Sequence, residues 1–162
     1  MLDKRKFYIN GQWVNPSTKN DCDVINPSDE TICAVISLGS QADTDAAVAA
    51  ARAALPSWSA STKVDRIALL ERLYAIYERR MDDMAEVISM EMGAPIDFAK
   101  TSQAPSGTEA IEDFLNQLRK FEFEEQLDDS DNQLIYGPKG VCALITPWNW
   151  PISQVALKVI PA

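Results

Sequence analysis

Residues 141–145, Val-Cys-Ala-Leu-Ile, form a continuous apolar run without polar alternation. A strand with one solvated face alternates, whereas a strand covered on both faces does not, so this run predicts a strand inside a parallel sheet. Parallel neighbours are reached through crossover connections, usually helices. The next residues, Thr146-Pro147-Trp148-Asn149-Trp150-Pro151, lead into Ile152–Ala162, and Pro151 suits the first turn of a helix. The fold class is therefore α/β, and 141–162 reads as half of a βαβ unit. No return strand follows before Ala162, so the helix is expected to leave apolar surface uncovered. The competing reading is a short C-terminal helix packed on the rest of the chain.

Upstream, the punctuation is regular. Phe7–Ile9 and Gln12–Val14 flank Asn10-Gly11, a dipeptide that favours the two-residue hairpin turn with positive φ at both centres. A second extended pair, Asp23–Ile25 and Thr31–Ile36, flanks Asn26-Pro27-Ser28-Asp29. A first helix begins after the N-cap candidate Ser40, with Asp43 and Asp45 where the dipole favours anions. It runs through the alanine-rich Ala46–Leu55 and is expected to stop at Pro56; so many small residues suggest close packing on a neighbour. A second helix, capped by Ser61 or Thr62, carries Ile67, Leu70, Tyr74, Tyr77, Met81, Met84 and Ile88 as one continuous stripe that ends at Gly93 and Pro95. Such a stripe suits burial in its own domain better than a partner helix. A third helix, roughly 107–121, places Ile111, Phe114, Leu115 and Leu118 together. The acidic stretch 122–131 reads as a solvated loop rather than a cation or basic-partner site, and Gln133–Tyr136 as a strand.

Composition excludes several kinds of chemistry. The chain of 162 residues contains no histidine, which removes His-based general acid–base catalysis, Ser-His-Asp triads and most zinc sites. A net charge of −9 argues against nucleic acid, whose binding needs clustered Lys and Arg. No apolar stretch is long enough to span a membrane, and the basic N-terminus has no apolar run behind it, so no secretory signal is expected. Cys22, Cys33 and Cys142 sit at no metal-ligand spacing and read as free thiols in a reducing, cytoplasmic setting. Neither a GxGxxG fingerprint nor a Walker-type loop is present.

One constellation carries chemistry. Asn149 lies between two tryptophans and two prolines, beyond the carboxyl end of the expected buried strand, where ligands bind in open α/β sheets. The prolines stiffen the loop. A neutral amide donor suits an oxyanion that develops only during reaction. By itself, a Trp/Pro-rich loop is more often packing than catalysis.

Pro138-Lys139-Gly140-Val141 followed by Ile145-Thr146-Pro147-Trp148-Asn149-Trp150-Pro151 resembles the hallmark of the aldehyde dehydrogenase superfamily. Supporting segments occur in family order: Tyr8-Ile9-Asn10-Gly11-Gln12-Trp13, Ile25-Asn26-Pro27, the alanine-rich helix ending near Trp58, Glu91-Met92-Gly93-Ala94-Pro95, and Ala156–Ala162. The resemblance implies the N-terminal part of that fold: β-hairpins, helices and the first strand–helix of a Rossmann-like parallel sheet. Residues 1–121 would form the N-terminal part of the cofactor-binding domain. Residues 122–137 would form the acidic loop and the strand of an oligomerisation arm, around Leu134–Tyr136. Residues 138–162 would be the first, incomplete βα unit.

The resemblance also implies roles. Asn149 matches the oxyanion-stabilising amide. Ile145, Thr146, Pro147 and Trp148 match the segment against the adenosine half of NAD or NADP. Trp150 and Leu157 match positions lining the aldehyde tunnel. Val24, Ile25 and Glu91 fall near a monovalent-cation site. The implied reaction is oxidation of an aldehyde to a carboxylic acid through a cysteine thioester, in a protein that is homo-oligomeric at full length. The nucleophilic cysteine and general-base glutamate of the family lie beyond residue 162. Cys142, inside the expected buried strand, reads as core, as do Cys22 and Cys33, and burial suppresses a thiolate. The chain is then expected to be an N-terminal fragment, inactive alone. The alternative is a non-catalytic protein that associates with full-length subunits through its arm and sheet edge.

Overall fold

The computed structural model describes residues 1–128 and 131–162. In chain order the strands are β1 (Leu2–Lys4), β2 (Phe7–Ile9), β3 (Gln12–Val14), β4 (Asp21–Ile25) and β5 (Ile32–Ser37). The helices α1 (Gln41–Ser59), α2 (Lys63–Arg79), α3 (Met81–Met92) and α4 (Ile96–Phe98) follow. A π-helical turn over Ala99–Gln103 then joins α4 to α5 (Pro105–Lys120). A hairpin of β6 (Glu124–Gln126) and β7 (Gln133–Ile135) precedes α6 (Pro151–Val159).

Both expected hairpins form. In β2–β3, Asn10 and Gly11 take φ of 51° and 73°, and the pairing sets Tyr8 opposite Trp13. β4 and β5 pair antiparallel about the Asn26–Asp29 turn. Within that turn, Asn26 Oδ1 accepts from the Ser28 N–H at 3.0 Å, and Asp29 Oδ1 accepts from the Thr31 N–H at 3.0 Å. β1 adds to β5 in parallel, giving the order β1-β5-β4. Its sequence, Leu-Asp-Lys, is too short and too polar to announce a strand.

Four expectations about helices need correction. Pro56 does not stop α1, which runs on to Ser59. A proline removes one backbone donor, but the last turn is held from outside: Arg66 donates to the Trp58 and Ser59 carbonyls, and the Ser61 hydroxyl to Trp58 at 2.6 Å. The small residues of α1 do not pack closely; most are exposed, and Asp43 is the helix's buried residue. The long second helix is two helices broken at Arg80, with φ −113° and ψ 15°. The charge order explains the break. Arg79 and Arg80 sit where one dipole ends negative, and Asp82 and Asp83 where the next begins positive. The third helix starts at Pro105 and is preceded by α4 and the π turn, which no periodicity signalled.

The stripe itself holds across the break. Ile88 is buried with Ala85, Ala94, Ala99 and Ala104, and Met81, Met84, Met92 and Ile152 pack against them. Thr62 and Asp65 form a capping box at the start of α2, as Ser40 and Asp43 do for α1.

The acidic stretch 122–131 is in part a strand. Glu124–Gln126 pairs antiparallel with Gln133–Ile135, and residues 129 and 130 lie outside those described. The base of this hairpin is tied to the helices: Arg66 lies between the Trp58 and Phe123 rings, 5.5 Å from each centroid, and Lys63 donates to the Phe121 carbonyl at 2.6 Å.

The buried parallel strand expected at 141–145 does not form. The segment has no strand partner, and 141–149 is exposed throughout, with Ile145 at 83 %. A parallel strand exists only through its neighbours, and none pairs with this segment among the described residues. Cys142 is therefore exposed, not core. The total accessible surface is 11320 Å², against about 8,000 Å² for a compact monomer of this mass. The excess is surface that other polypeptide can cover.

Candidate functional site

The loop 146–150 ends on the buried helical core. Trp150 packs edge-on against Phe98, with centroids 5.7 Å apart and planes at 81°. Its carbonyl accepts from the Gln154 N–H at 2.9 Å, the first turn of α6. The Asn149 carbonyl accepts from Gln103 Nε2 at 3.3 Å. Pro151 at the start of α6 needs no donor there, which makes the turn from loop to helix easy.

Gln103 is only 2 % exposed and ends the π turn, whose i+5 bond runs from the Ala104 N–H to the Ala99 carbonyl at 2.9 Å. The turn is pinned from α2, where the Tyr77 hydroxyl donates to the Ala104 carbonyl at 2.7 Å. Burial pushes the Tyr77 phenol up to about 12, so it is a donor at any ordinary pH. Gly107 lets this ring approach: a Cβ there would sit 2.7 Å from it. Two layers of side chains thus fix the backbone of Asn149.

The sequence-derived site residues fall into three groups. Ile145, Thr146, Pro147, Trp148 and Asn149 are exposed, with Trp148 at 77 %. Trp150 is half-buried, and Leu157 is exposed on α6. Val24, Ile25 and Glu91 lie elsewhere, on β4 and α3. Pro27 abuts Gly93, where an added Cβ would come within 2.6 Å of its ring, so the turn after β4 meets the end of α3. Val24 is half-buried and its carbonyl accepts the Cys33 thiol at 3.3 Å, while Ile25 and Glu91 are exposed. Desolvation nonetheless raises the Glu91 carboxyl. Among the described residues no group of three His, Cys, Asp or Glu could hold a metal ion.

Two surface clefts contain none of these residues. One, of 450 Å³, lies between the Asn26–Ser28 turn and Gly93–Ile96; the other, of 730 Å³, lies beside β1 and Trp13. Asn149 therefore sits on an open face, continuous with the exposed segment 141–148. Exposed Cys142 does not take the nucleophile's place beside it. Its thiol lies by the Gly140 carbonyl, at 3.9 Å. Sequence reasoning missed Gln103 because an amide among small residues has no motif, and it missed the role of Tyr77 because a tyrosine in an apolar stripe reads as packing.

Two N-terminal hairpins, a helical layer and an asparagine loop entering a helix make up an α/β arrangement. Residues 13–162 match the aldehyde dehydrogenase family, and the chain belongs to it. It is 45 % identical to a 3-succinoylsemialdehyde-pyridine dehydrogenase of a Pseudomonas species, over all of this chain and 34 % of that protein. The aldehyde dehydrogenase of Bartonella henselae matches with a TM-score of 0.97 and 50 % identity, over 99 % of this chain and 34 % of that one. Aldehyde dehydrogenase C of Pseudomonas syringae, solved with NAD+ and octanal, matches at 0.93 and 39 % identity, over 97 % of this chain and 32 % of that one. The chain thus has the fold of the N-terminal part of these enzymes and spans about a third of their length. No helix among the described residues is long and apolar enough to cross a membrane.

Proposed function

We propose that this chain supplies the oxyanion-stabilising amide and part of the cofactor surface of an NAD(P)-dependent aldehyde dehydrogenase. The observation that carries the reading is the family match continuous through Asn149, combined with an Asn149 backbone held by buried groups while its side chain stays free to face a reactant.

Residues 145–148 fit the adenosine half of a dinucleotide. They are exposed, their backbone groups make no hydrogen bond among the described residues, and Ile145 and Trp148 offer apolar contact. When bound, a nicotinamide accepts the hydride released from the aldehyde carbon. This chain's contribution to the chemistry is the Asn149 N–H. As a thiolate adds to the aldehyde, the carbonyl oxygen gains charge, and a fixed neutral donor stabilises it without prior desolvation of an ion. In this reading the thiolate belongs to polypeptide other than these residues, since Cys22 and Cys33 are half-buried on strands and the Cys142 thiol turns to the Gly140 carbonyl. Trp150 and Leu157, before and on α6, line the approach of the aldehyde. Val24, Ile25 and Glu91 form a second candidate site, for a monovalent cation, supported by the contact of Pro27, two residues after Ile25, with Gly93, two residues after Glu91. In this reading 1–121 and 138–162 belong to the cofactor-binding domain, 122–137 forms an oligomerisation arm, and the free thiols suit a cytoplasmic, homo-oligomeric enzyme.

The test joins residues 1–162 to the remaining two thirds of the 45 %-identical Pseudomonas relative. The chimera should form NAD(P)H from aldehydes. In it, Asn149→Ala should lower the acylation rate by about 10²–10³ with cofactor affinity little changed. Unaltered acylation would remove Asn149 from the mechanism.

A further inference from the structure

We infer that Gln103 is a positioning residue that sets the Asn149 amide by holding its backbone carbonyl from inside the core, an inference that rests on the role proposed for Asn149. Gln103 is 2 % exposed, and its Nε2 donates to the Asn149 carbonyl at 3.3 Å, with the Met92 thioether at 3.8 Å as the other neighbour. Its Oε1 is buried and has no hydrogen-bond partner among the described residues. A buried, unsatisfied acceptor is destabilising, and an apolar side chain of the same volume would fill the space without it. The amide therefore works against stability at one end and grips the Asn149 loop at the other.

The backbone around it is built for that grip. The extra residue of the π turn shifts the helical register so that Gln103 faces inward between Ala99 and Ala104, both fully buried. π turns recur at functional sites for this reason. Tyr77 and the Ser106 hydroxyl, which donates to the Gln103 carbonyl at 2.6 Å, hold the turn itself. With Trp150 seated on Phe98 and the Gln103 bond on its carbonyl, Asn149 is an exposed residue on a held backbone.

The experiment uses Gln103→Met, which keeps volume and removes both the donor and the orphaned acceptor. In the chimera, acylation should fall by roughly ten-fold or more with KM for cofactor unchanged, while the melting temperature stays level or rises. Combined with Asn149→Ala, it should add nothing to the loss of acylation, because without the Asn149 amide Gln103 has nothing left to position. Gln103→Glu should retain acylation at low pH, where a protonated carboxyl can donate, and lose it as pH rises and the carboxylate faces the Asn149 carbonyl. In the 162-residue chain, Gln103→Met should speed amide exchange at Asn149 and Trp150. If Asn149→Ala slows acylation but Gln103→Met does not, or if the two effects multiply, the positioning role is overturned and the Asn149 role stands. If Asn149→Ala itself has no effect, the underlying reading fails first.

Discussion

Asp43 shows how one carboxylate can define a helix start and tie it to a distant strand loop. It accepts from the Ser40 N–H at 2.9 Å, the Ser40 hydroxyl at 2.7 Å and the Ser17 N–H at 2.8 Å. The backbone N–H of Ser40, then that of Ser17, holds its pKa at about 2, below the ordinary 3.8. A carboxylate whose folded pKa is depressed stabilises above its unfolded value and loses that contribution as pH falls through the folded one. The stability of Asp43→Ala should therefore converge on that of the parent between about pH 4 and pH 2, as read by denaturant titration across that window. A constant difference down to pH 2 would assign the contribution to packing instead. The N-cap at Ser40 and the first-turn charge of Asp43 were legible at this scale because both stand just before an alanine-rich run, while their reciprocal box is seen only in the structure. The Ser17 bond was not, since 26 residues separate the partners.

At the scale of elements, junctions decided what periodicity left open. The stripe from Ile67 to Ile88 turns inward but is half-buried from Ile67 to Met84 and fully buried only at Ile88, and it crosses a break at Arg80 that coincides with the Arg-Arg to Asp-Asp reversal. Gly93 closes α3 with φ +81°, and its missing Cβ admits Pro27 from the β4–β5 turn. Gly93→Ala meets both left-handed strain and the proline ring, so it should destabilise by more than about 1 kcal/mol. Chemical denaturation measures this, and a neutral substitution would mean that the turn and helix end part without cost. The π turn had no sequence signature because its i+5 bond is set by what Gln103 and Tyr77 reach, not by a local preference.

For the whole molecule, the dominant fact is uncovered apolar surface. Val141, Leu144, Ile145 and Trp148 are all exposed, on a chain with about 3,000 Å² more surface than its mass requires. The isolated 162-residue chain should bind a hydrophobic dye, and Ile145→Ser with Leu144→Ser should reduce that binding. Silence toward the dye would mean that 141–149 folds back onto the helices in solution. The expected strand failed here because sequence specifies a strand's burial pattern, while its existence depends on partners across the sheet.

The sequence determined the elements whose causes are local: the Asn10-Gly11 hairpin, the capping boxes at Ser40 and Thr62, the inward stripe and the Trp-Asn-Trp-Pro loop that marks the family. Tertiary structure alone decided the rest. It added β1 to the sheet, carried α1 past Pro56, buried Gln103 behind Asn149 and left 141–149 unpaired. Local order follows from residues a few positions apart. These other features depend on hydrogen bonds and contacts between segments tens of residues apart, or on partners this chain does not contain.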